Sequence, residues 1–385
     1  MFWFEKIFKW INYMNIKSNY FKIRLWFYNI IRHKEQVRLN IPYLILILIY
    51  QTMYCKTKFV ENCWIYIAKL ILLRYTCYIF LLKGGVKVSG KIVVIGSMNA
   101  DLVIHSPKMP VLGETLTGSN FQVNAGGKGL NQAVAIAKLG GDVSFLGAVG
   151  SDSNGELLLD TLKQNNIRFN GFKTEKTPTG IAMITVVDGN NFIILDSGAN
   201  AELTTEVIEN YSNLIAECEY CVMQLEIPVE TVLKVCEIAK NSDTKIILNP
   251  APYKELPVSV FTKIDYIIPN EHEAHDLTNI YPNDEKNTRK AILKLMEMGV
   301  KNVIITLGER GCAYNVGDSV VFKPAIKTKV VDTTSAGDTF IGALVSKLSK
   351  NETLNNAIVY ATKASAITVS RLGASKSIPY ADEVK

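Results

Sequence analysis

The segment with the clearest capacity for chemistry is residues 332–340, DTTSAGDTF, which leads into an apolar helical pattern. Small residues just before a helix let backbone N–H groups approach an anion, and a helix N-terminus favours negative charge. A carboxylate beside such a cradle, Asp338, suits a general base that removes a proton from a hydroxyl while the cradle holds a phosphoryl group. The alternative is a carboxylate that only caps the helix.

A second glycine-rich segment, residues 124–132, reads NAGGKGLNQ and also leads into a predicted helix. It is not a P-loop, because GxxxxGK[ST] would need Gly at 122 and Ser or Thr at 129, where Gln122 and Gly129 stand. The remaining pattern, a glycine turn with Asn131 one turn into the helix, favours backbone and amide contacts to a polyol. A tight turn without a ligand is the alternative.

Further polar residues follow predicted strands, at the edge where parallel sheets bind ligands. Asn99 and Asp101 follow the first strand, and Glu226 follows an apolar run at 221–225. Glu273 comes just after a strand that ends at Pro269, and could bind Mg²⁺ directly or through water. The glycine turn at 306–311 is compatible with a nucleotide. Each feature alone could equally be a turn or a helix start.

The elements that must position these residues alternate along the chain. Predicted strands cover residues 91–97, 143–148, 220–224, 245–249, 266–269 and 303–307; predicted helices cover 129–139, 155–165, 230–240, 286–298, 338–348 and 354–370. This order predicts an α/β fold, a three-layer α/β/α arrangement with a mostly parallel central sheet. Alternating runs at 114–123, 179–187 and 191–196, the last two joined by a hairpin signal at 188–190, predict a small β-sheet lid. We place its strands within about 98–125 and 179–197.

Charge divides the chain into two unlike parts. Of 42 Lys and Arg and 36 Asp and Glu, residues 1–90 hold 14 basic and 3 acidic residues, so this part carries +11 and the rest carries −5. The mildly acidic body argues against nucleic-acid binding. Seven cysteines in a chain of 385 residues, of which only Cys218 and Cys221 have CxxC spacing, exclude a disulfide scaffold, and four histidines without HExxH weaken a zinc hydrolase. We therefore expect a reducing, cytoplasmic compartment.

Three interpretations compete for the first 90 residues. The run at 64–82 is long enough to span a bilayer, but Lys69 and Arg74 would lie inside it at a cost of about 2.5–3.5 kcal/mol each. A signal peptide would need a compact apolar region followed by a cleavage site with small residues, and the sequence shows no such combination. We favour translated upstream sequence, with the biological start near Val88. The predicted division is thus an N-terminal extension at 1–87 and an α/β domain at 88–385.

Taken in order, the chemical segments resemble the ribokinase-like family of sugar and nucleoside kinases, from about Lys91 to Pro379. The resemblance rests on residues 96–101 (GSMNAD), 125–132 (AGGKGLNQ), 179–182 (TGIA), 223–226 (MQLE), 248–252 (LNPAP), 269–273 (PNEHE), 306–311 (TLGERG) and 332–340 (DTTSAGDTF). The last segment marks the wider family, whereas NAD, QLE and NPAP are more particular to its ribose-phosphorylating members. Residues 1–90 match nothing in the family.

The resemblance implies ATP-dependent phosphorylation of D-ribose at its 5-hydroxyl, with Asp338 as catalytic base and the N–H groups of Ser335, Ala336 and Gly337 as anion hole. It implies the following sugar-binding positions: Asn99, Ala100, Asp101, Gly126, Gly127, Lys128, Gly129, Asn131, Glu226 and Asp338. The wider family often has glycine where Ser335 stands, and a small residue still suits the cradle.

The resemblance also implies positions for nucleotide and metal ions. The nucleotide positions are Asn270, Thr306, Leu307, Gly308, Glu309, Arg310, Gly311, Gly337, Asp338 and Thr362. Glu273 corresponds to the Mg²⁺-related glutamate. An activating K⁺ would lie near Asp332, Thr334, Thr368, Arg371, Gly373 and Ser377, the alternative being an ordinary ion pair between Arg371 and Asp332. A homodimer formed through the lid strands is implied as well.

Other functions remain open at this point. A related kinase acting on deoxyribose, fructose or adenosine would need few changes in the sugar pocket. A non-catalytic sugar-binding module on the same fold is disfavoured by the intact Asp338 and its cradle. A protein tethered to a membrane by residues 1–90 is disfavoured by the expected start near Val88.

Overall fold

The computed structural model describes residues 90–188 and 190–385. The predicted extension at 1–87, its candidate membrane span and the start near Val88 lie outside these residues. The strands, in chain order, are β1 (Lys91–Ile95), β2 (Asn99–His105), β3 (Ser119–Gly126), β4 (Asp142–Leu146), β5 (Ala148–Gly150), β6 (Arg168–Phe169), β7 (Phe172–Thr174), β8 (Gly180–Val187), β9 (Asn190–Asp196), β10 (Tyr220–Met223), β11 (Lys245–Leu248), β12 (Tyr266–Ile267), β13 (Asn302–Thr306), β14 (Cys312–Val316) and β15 (Ser319–Lys323).

The helices interleave with these strands. They are α1 (Lys128–Lys138), α2 (Ser153–Gln164), α3 (Thr205–Asn210), α4 (Ser212–Glu217), α5 (Val229–Ser242), α6 (Glu271–Thr278), α7 (Glu285–Glu297), α8 (Ala336–Leu348) and α9 (Leu354–Thr368). Short 3₁₀ turns lie at Gly198–Glu202, Val258–Lys263, Gly308–Arg310 and Ala381–Glu383. In the described residues, no helix has the length and hydropathy needed to cross a bilayer.

Nine strands of the described chain form the central sheet, in the order β15-β14-β13-β12-β11-β10-β1-β4-β6. Neighbouring strands from β13 to β6 run parallel, and β14 and β15 are antiparallel additions at one edge. Along β1, Ile92 and Val94 pack into a core with α1, α8 and α9. Val93 and Ile95 enter a second core with α5 and α7 on the other face. This confirms the predicted three-layer α/β/α class, since a parallel sheet buries both faces.

A separate four-stranded sheet has the order β3-β2-β8-β9 and corresponds to the predicted lid. Strand β2 pairs antiparallel with β3 and parallel with β8, so that Asn99 lies opposite both Gly126 and Gly180. The predicted hairpin is confirmed, because β8 and β9 pair with Val187 opposite Asn190. The lid thus joins directly to the glycine segment that precedes α1.

Some predicted boundaries are wrong, and each has a local cause. The strand expected at 114–123 begins only at Ser119, after a turn at Gly113, whose φ is 83°. Strand β2 lies within the range of about 98–125 where lid strands were placed, but no separate run was assigned to it, because polar Asn99 and Asp101 leave an apolar run of only three residues. The antiparallel β14–β15 pair was also absent from the prediction, since its alternation is weak.

Candidate active site

The structure places Asp338 in the first turn of α8, 8% exposed. Gln132 Nε2 donates to its Oδ1 at 3.0 Å, and Asn131 Nδ2 lies 3.4 Å from its Oδ2. The helix N-cap is Ser335, whose φ of 60° is left-handed and whose side chain makes no cap hydrogen bond. Asp338 is therefore not merely a helix cap, because its carboxylate faces α1 rather than its own N-terminal amides.

Burial raises the pKa of Asp338 above its usual value, and nearby Glu226 adds to the rise. The ammonium of Lys128 and the amides of Gln132 and Asn131 act in the opposite direction. A carboxylate whose pKa is raised toward neutrality is a better general base than an ordinary aspartate. A Cβ at Gly337 would meet no atom within 4 Å, so the space beside this glycine is open.

The glycine segment before α1 lies directly against the start of β2. A Cβ on Gly126 would approach Asp101 Oδ2 to 2.0 Å, and one on Gly127 would approach the Asn99 nitrogen to 2.8 Å. Gly127 also has a φ of 91°, which side-chain-bearing residues rarely adopt. The chain needs glycine at both positions because the backbone must approach the polar residues of β2 this closely.

Asp101 is a strongly perturbed carboxylate of the site. Burial, with repulsion from Glu226 and Asp338, raises its pKa to about 7. Within the described residues, its carboxylate accepts no hydrogen bond from the protein. A buried acceptor without a donor is unfavourable unless a ligand supplies one. Asp101 is thus prepared for hydroxyl groups that enter the pocket.

Glu226 is held between two segments of the site. Its Oε2 accepts hydrogen bonds from the Ser97 hydroxyl and, at 3.0 Å, from the backbone nitrogen of Lys128. The same Ser97 hydroxyl lies 3.4 Å from the nitrogen of Gly129. These contacts bring the loop after β10 to the N-terminus of α1, as the sequence pattern predicted for a shared edge.

Lys128 supplies the positive charge of the pocket. Burial opposes ionisation of its ammonium, but Asp338, Glu226 and Glu273 outweigh burial and raise the pKa of Lys128. The lysine therefore stays charged among three carboxylates. Its charge partly offsets the repulsion that an incoming phosphate would meet there.

Asn99 has a partner that the sequence did not indicate. Asn200 Nδ2 donates to Asn99 Oδ1 at 2.8 Å and to the Met98 carbonyl at 3.1 Å, while Asn200 Oδ1 accepts from Met98 N at 3.0 Å. Ala100, between Asn99 and Asp101, is fully buried. Asn200 thus fixes the start of strand β2 and orients the side chain of Asn99.

The predicted nucleotide segments lie together at the carboxyl edge of β12 and β13. Asn270 and Glu273 form a capping box on α6, with Asn270 N donating to Glu273 Oε2 at 2.8 Å and Glu273 N donating to Asn270 Oδ1 at 2.9 Å. Thr306 N donates to the Pro269 carbonyl at 3.0 Å, which holds the two segments side by side. The turn that follows contains Leu307, Gly308, Glu309, Arg310 and Gly311.

Two further nucleotide positions, Arg310 and Thr362, also have their side chains engaged by the protein. Arg310 pairs with Glu271 and with the Pro282 carbonyl. Thr362 donates to Ile358 O on its own helix at 2.9 Å. Contacts of these residues to a nucleotide would therefore come from backbone or apolar atoms.

Asp332 joins the two loops of the predicted cation site. Its Oδ1 accepts from the nitrogen and hydroxyl of Thr334, and its Oδ2 accepts from Gly373 N at 3.0 Å. Although burial opposes it, these bonds lower the pKa of Asp332. The alternative ion pair is not formed, because Arg371 pairs with Glu383. Thr368 and Ser377 are buried, and their hydroxyls donate to Thr339 Oγ1 and Ala374 O.

Several functional contacts were missed from the sequence. Gln132, Gln224 and Asn249 form a buried amide network behind Asp338, and Ser97 and Asn200 support Glu226 and Asn99. Apart from Asn200, which no pattern marks, each lies in or beside a predicted apolar strand or helix, where a buried polar side chain is unusual; that is the signal that could have found them. Among the described residues, no group of three or more His, Cys, Asp or Glu side chains is arranged to hold a metal ion.

Comparison with known proteins gives consistent results. The family profile of the pfkB family carbohydrate kinase matches residues 89–381. The ribokinase of Lactococcus lactis is 39% identical over 296 residues, which cover 77% of this chain and 96% of that protein. The deoxyribokinase of Salmonella typhimurium is 36% identical over 293 residues, covering 75% of this chain and 95% of that protein.

A solved structure extends the comparison to the fold. The structure of Arabidopsis thaliana ribokinase complexed with ribose and ATP superposes with a TM-score of 0.73 at 30% identity. The match covers 77% of this chain and 98% of that one. The resemblance inferred from the sequence motifs is therefore confirmed.

Proposed function

Because this chain belongs to the pfkB family of carbohydrate kinases, we propose that it is a ribokinase, which transfers the γ-phosphoryl group of ATP to O5 of D-ribose. The observation that carries this proposal is the position of Asp338. Its buried carboxylate lies beside the open space in front of Gly337 and in the same pocket as the carboxylates of Asp101 and Glu226. A base, an anion cradle and hydroxyl acceptors are the parts that a sugar kinase needs.

In the proposed reaction, Asp338 removes the proton of the 5-hydroxyl while O5 attacks the γ-phosphorus of ATP. The O5–P bond forms, the bond from γ-phosphorus to the β,γ-bridging oxygen breaks, and ADP leaves with the bonding electrons. Enzymatic phosphoryl transfer depends chiefly on positioning and on stabilisation of charge. Ser335, Ala336 and Gly337 would contribute through backbone N–H groups at the start of α8, where the helix dipole adds to their effect.

The sugar would be bound by the other end of the pocket. Asn99, Asp101 and Glu226 would accept or donate hydrogen bonds to ribose hydroxyls, and Asn131 would contribute its amide. The buried Oδ1 of Asn131 has no partner within the described part of the protein, so a sugar hydroxyl would satisfy it. Lys128 would lie where the transferred phosphoryl group passes between ATP and the sugar.

The residues present fit Mg²⁺ as it usually binds beside nucleotides, through one or two carboxylates, water and substrate phosphates. Glu273 is the candidate ligand, and its side chain is 8% exposed. Burial raises the pKa of Glu273, and the charges of Lys128 and Asp338 lie near enough to affect it as well. Both its oxygens are used in the capping box, which favours contact through water. When bound with ATP, Mg²⁺ supplies charge neutralisation on the phosphates.

The residues around Asp332 also fit a monovalent cation. This carboxylate is ionised and half-buried, and within the described residues no Lys or Arg pairs with it. Backbone carbonyls near Thr368, Gly373 and Ser377 would complete the shell. A bound K⁺ would supply a fixed positive charge that holds the 332–337 loop, including the N–H groups of the cradle.

We also propose a homodimer formed through the lid. The outer residues of this sheet are apolar and exposed: Ile104, Phe121, Val123, Met183, Phe192, Ile193, Ile194 and Leu195. Exposed apolar patches of this kind mark interaction sites. A second copy of the chain would cover them and shield the edge strand β9. The buried free thiols of Cys218, Cys221, Cys236 and Cys312 suit a reducing, cytoplasmic location.

A substrate panel tests the proposed function. The purified full chain, with ATP, Mg²⁺ and K⁺, is given ribose, 2-deoxyribose, fructose and adenosine, and ADP release is measured. We expect the highest kcat/KM for ribose and a product with phosphate on C5, identified by ³¹P and ¹³C NMR. A higher kcat/KM for deoxyribose or another acceptor would show that this acceptor, and not ribose, is the preferred substrate. No turnover with any acceptor would overturn the kinase assignment.

A further inference from the structure

A chain of buried side-chain amides leads from the backbone to the catalytic carboxylate. Asn249 Nδ2 donates to the Ile268 carbonyl at 3.0 Å, and Asn249 Oδ1 accepts from Gln132 Nε2 at 3.1 Å. Gln132 Nε2 also donates to Asp338 Oδ1 at 3.0 Å. Gln224 completes the network, because its Nε2 donates to Gln132 Oε1 at 2.6 Å.

The backbone carbonyl of Ile268 fixes the donor-to-acceptor direction of these hydrogen bonds. A backbone carbonyl only accepts, so the Asn249 amide must turn its nitrogen toward Ile268 and its oxygen toward Gln132. Gln132 must then present its nitrogen, and this nitrogen also faces Asp338 Oδ1. Gln132 and Gln224 are fully buried, so water does not offer either amide another arrangement.

This direction makes the two oxygens of Asp338 unequal. Oδ1 faces an N–H donor and can only accept, because a proton there would meet the hydrogen of Gln132. Among residues 90–188 and 190–385, Oδ2 has only the long contact of 3.4 Å from Asn131 Nδ2. The oxygen left for a proton is therefore Oδ2, on the side of Asn131, which belongs to the proposed sugar pocket.

We propose that Gln132 is a positioning residue that holds Asp338 through Oδ1 and so makes Oδ2 the oxygen that receives the proton of the sugar hydroxyl. Gln224 and Asn249 act one step further back, by locking the orientation of the Gln132 amide. This inference rests on the proposed function of Asp338 as a base and adds which of its atoms reacts and what orients it.

A merely structural role of the amide network would affect stability and leave the catalytic step unchanged. The network joins α1, α8 and the ends of β10 and β11, so its loss could lower stability alone. A positioning role must instead appear in the chemistry. A hydrogen bond donated to a carboxylate favours the ionised form, so removing it raises the pKa of Asp338.

The test uses Gln132→Met, which keeps the volume and removes both hydrogen-bonding atoms. We expect kcat at pH 7 to fall about 10–100-fold, the acid limb of the kcat profile to move up by about 1–2 pH units, and the ribose KM to stay within about threefold. Gln224→Met, which does not touch Asp338, should shift the limb in the same direction by less.

Asn315→Leu is the matched control. Asn315 is a buried amide on β14, outside the site, that accepts from Val303 N and donates to Lys301 O and Gly317 O. Its loss should lower the melting temperature without moving the acid limb. An unshifted limb with unchanged kcat in folded Gln132→Met would overturn the proposal, as would a change confined to the ribose KM.

A double-mutant cycle keeps the proposal testable if one variant folds poorly. If Gln132 acts through Asp338, then Gln132→Met or Gln224→Met should cost no further kcat in an Asp338→Asn background, because coupled residues are not additive. Additive losses would contradict the proposal. Ribose turnover by the wild-type chain, measured alongside, reports separately on the proposed function.

Discussion

The two ends of the pocket hold their carboxylates in opposite ways. At the phosphoryl end, Asp338 receives amide donors from Gln132 and Asn131, and the amide network behind it is anchored on a backbone carbonyl. At the sugar end, Asp101 has no donor in the described protein and is repelled by Glu226 and Asp338. Both side chains are almost fully buried, so exposure does not explain the difference.

The contrast indicates a division of labour. A base must be correctly oriented before substrate arrives, and the protein supplies its partners in advance. A binding carboxylate gains affinity when the substrate brings the missing donors, and the unpaired state of Asp101 leaves that gain to the sugar. Changes at the phosphoryl end should therefore affect kcat, and changes at the sugar end should affect KM.

The largest effect is expected at the base. Asp338→Asn should lower kcat by about 10²–10⁴-fold, the usual contribution of general base catalysis. The amide keeps the size and polarity of the side chain, so the KM values for ribose and ATP should change little. Steady-state kinetics, with circular dichroism to confirm the fold, would measure this. Near-normal turnover would reject Asp338 as base.

The next effect is expected at the sugar end. Asp101→Ala removes a charged acceptor worth about 1.5–3 kcal/mol, so the ribose KM should rise about 10–150-fold. The ATP KM should change little, because Asp101 lies on β2 beside the glycine segment rather than near the 306–311 turn. Equal rises in both KM values would make this carboxylate structural and remove the contrast between the two ends.

K⁺ bound between the loop that contains Asp332 and the loop at 368–377 should have a smaller effect on kcat. Adding K⁺ at constant ionic strength should raise kcat by about 3–30-fold, less than the ~10²–10³ lost when an oxyanion donor is removed. Na⁺ or Li⁺ should substitute poorly because they are smaller. Rates in a buffer of a bulky organic cation provide the baseline. An unchanged kcat would leave Asp332 with a structural role only.

The last predicted effect concerns stability and not turnover. The pKa of Asp101 is raised from 3.8 to about 7 in the folded protein. The stability linked to this group is therefore complete below pH 4 and is lost as pH rises toward 7. Asp101→Asn removes that loss, so it should stabilise the free protein at pH 8 by about 2–4 kcal/mol and by less at pH 5. Thermal unfolding at both pH values measures this difference, and equal shifts at the two would show that Asp101 has an ordinary pKa.

The sequence predicts the individual elements of this site better than the contacts between them. The helix that carries Asp338 and the glycine turn before α1 follow from local patterns, since small residues and apolar periodicity mark them. Strand β2 lies in the range predicted for the lid, but its own bounds were not predicted because polar residues that line the pocket interrupt its apolar pattern. Local patterns fail where the requirement on a residue comes from a ligand rather than from the core.

The supporting network could not be predicted for a different reason. Gln132 lies 206 residues from Asp338 and 117 from Asn249 along the chain, so no local pattern relates them. The ion pair weighed for Arg371 was wrong because Glu383, near the C-terminus, takes its guanidinium. Such pairings depend on tertiary packing, which periodicity does not encode.

The division between the two ends is tested most directly by ribose binding without ATP. Isothermal titration of Asp338→Asn and Asp101→Asn with ribose separates binding from chemistry. We predict that Asp338→Asn binds ribose within about threefold of the wild-type Kd, while Asp101→Asn binds at least about tenfold more weakly. Equal loss of affinity in both variants, or loss only in Asp338→Asn, would contradict the assignment of proton transfer to Asp338 and of sugar binding to Asp101.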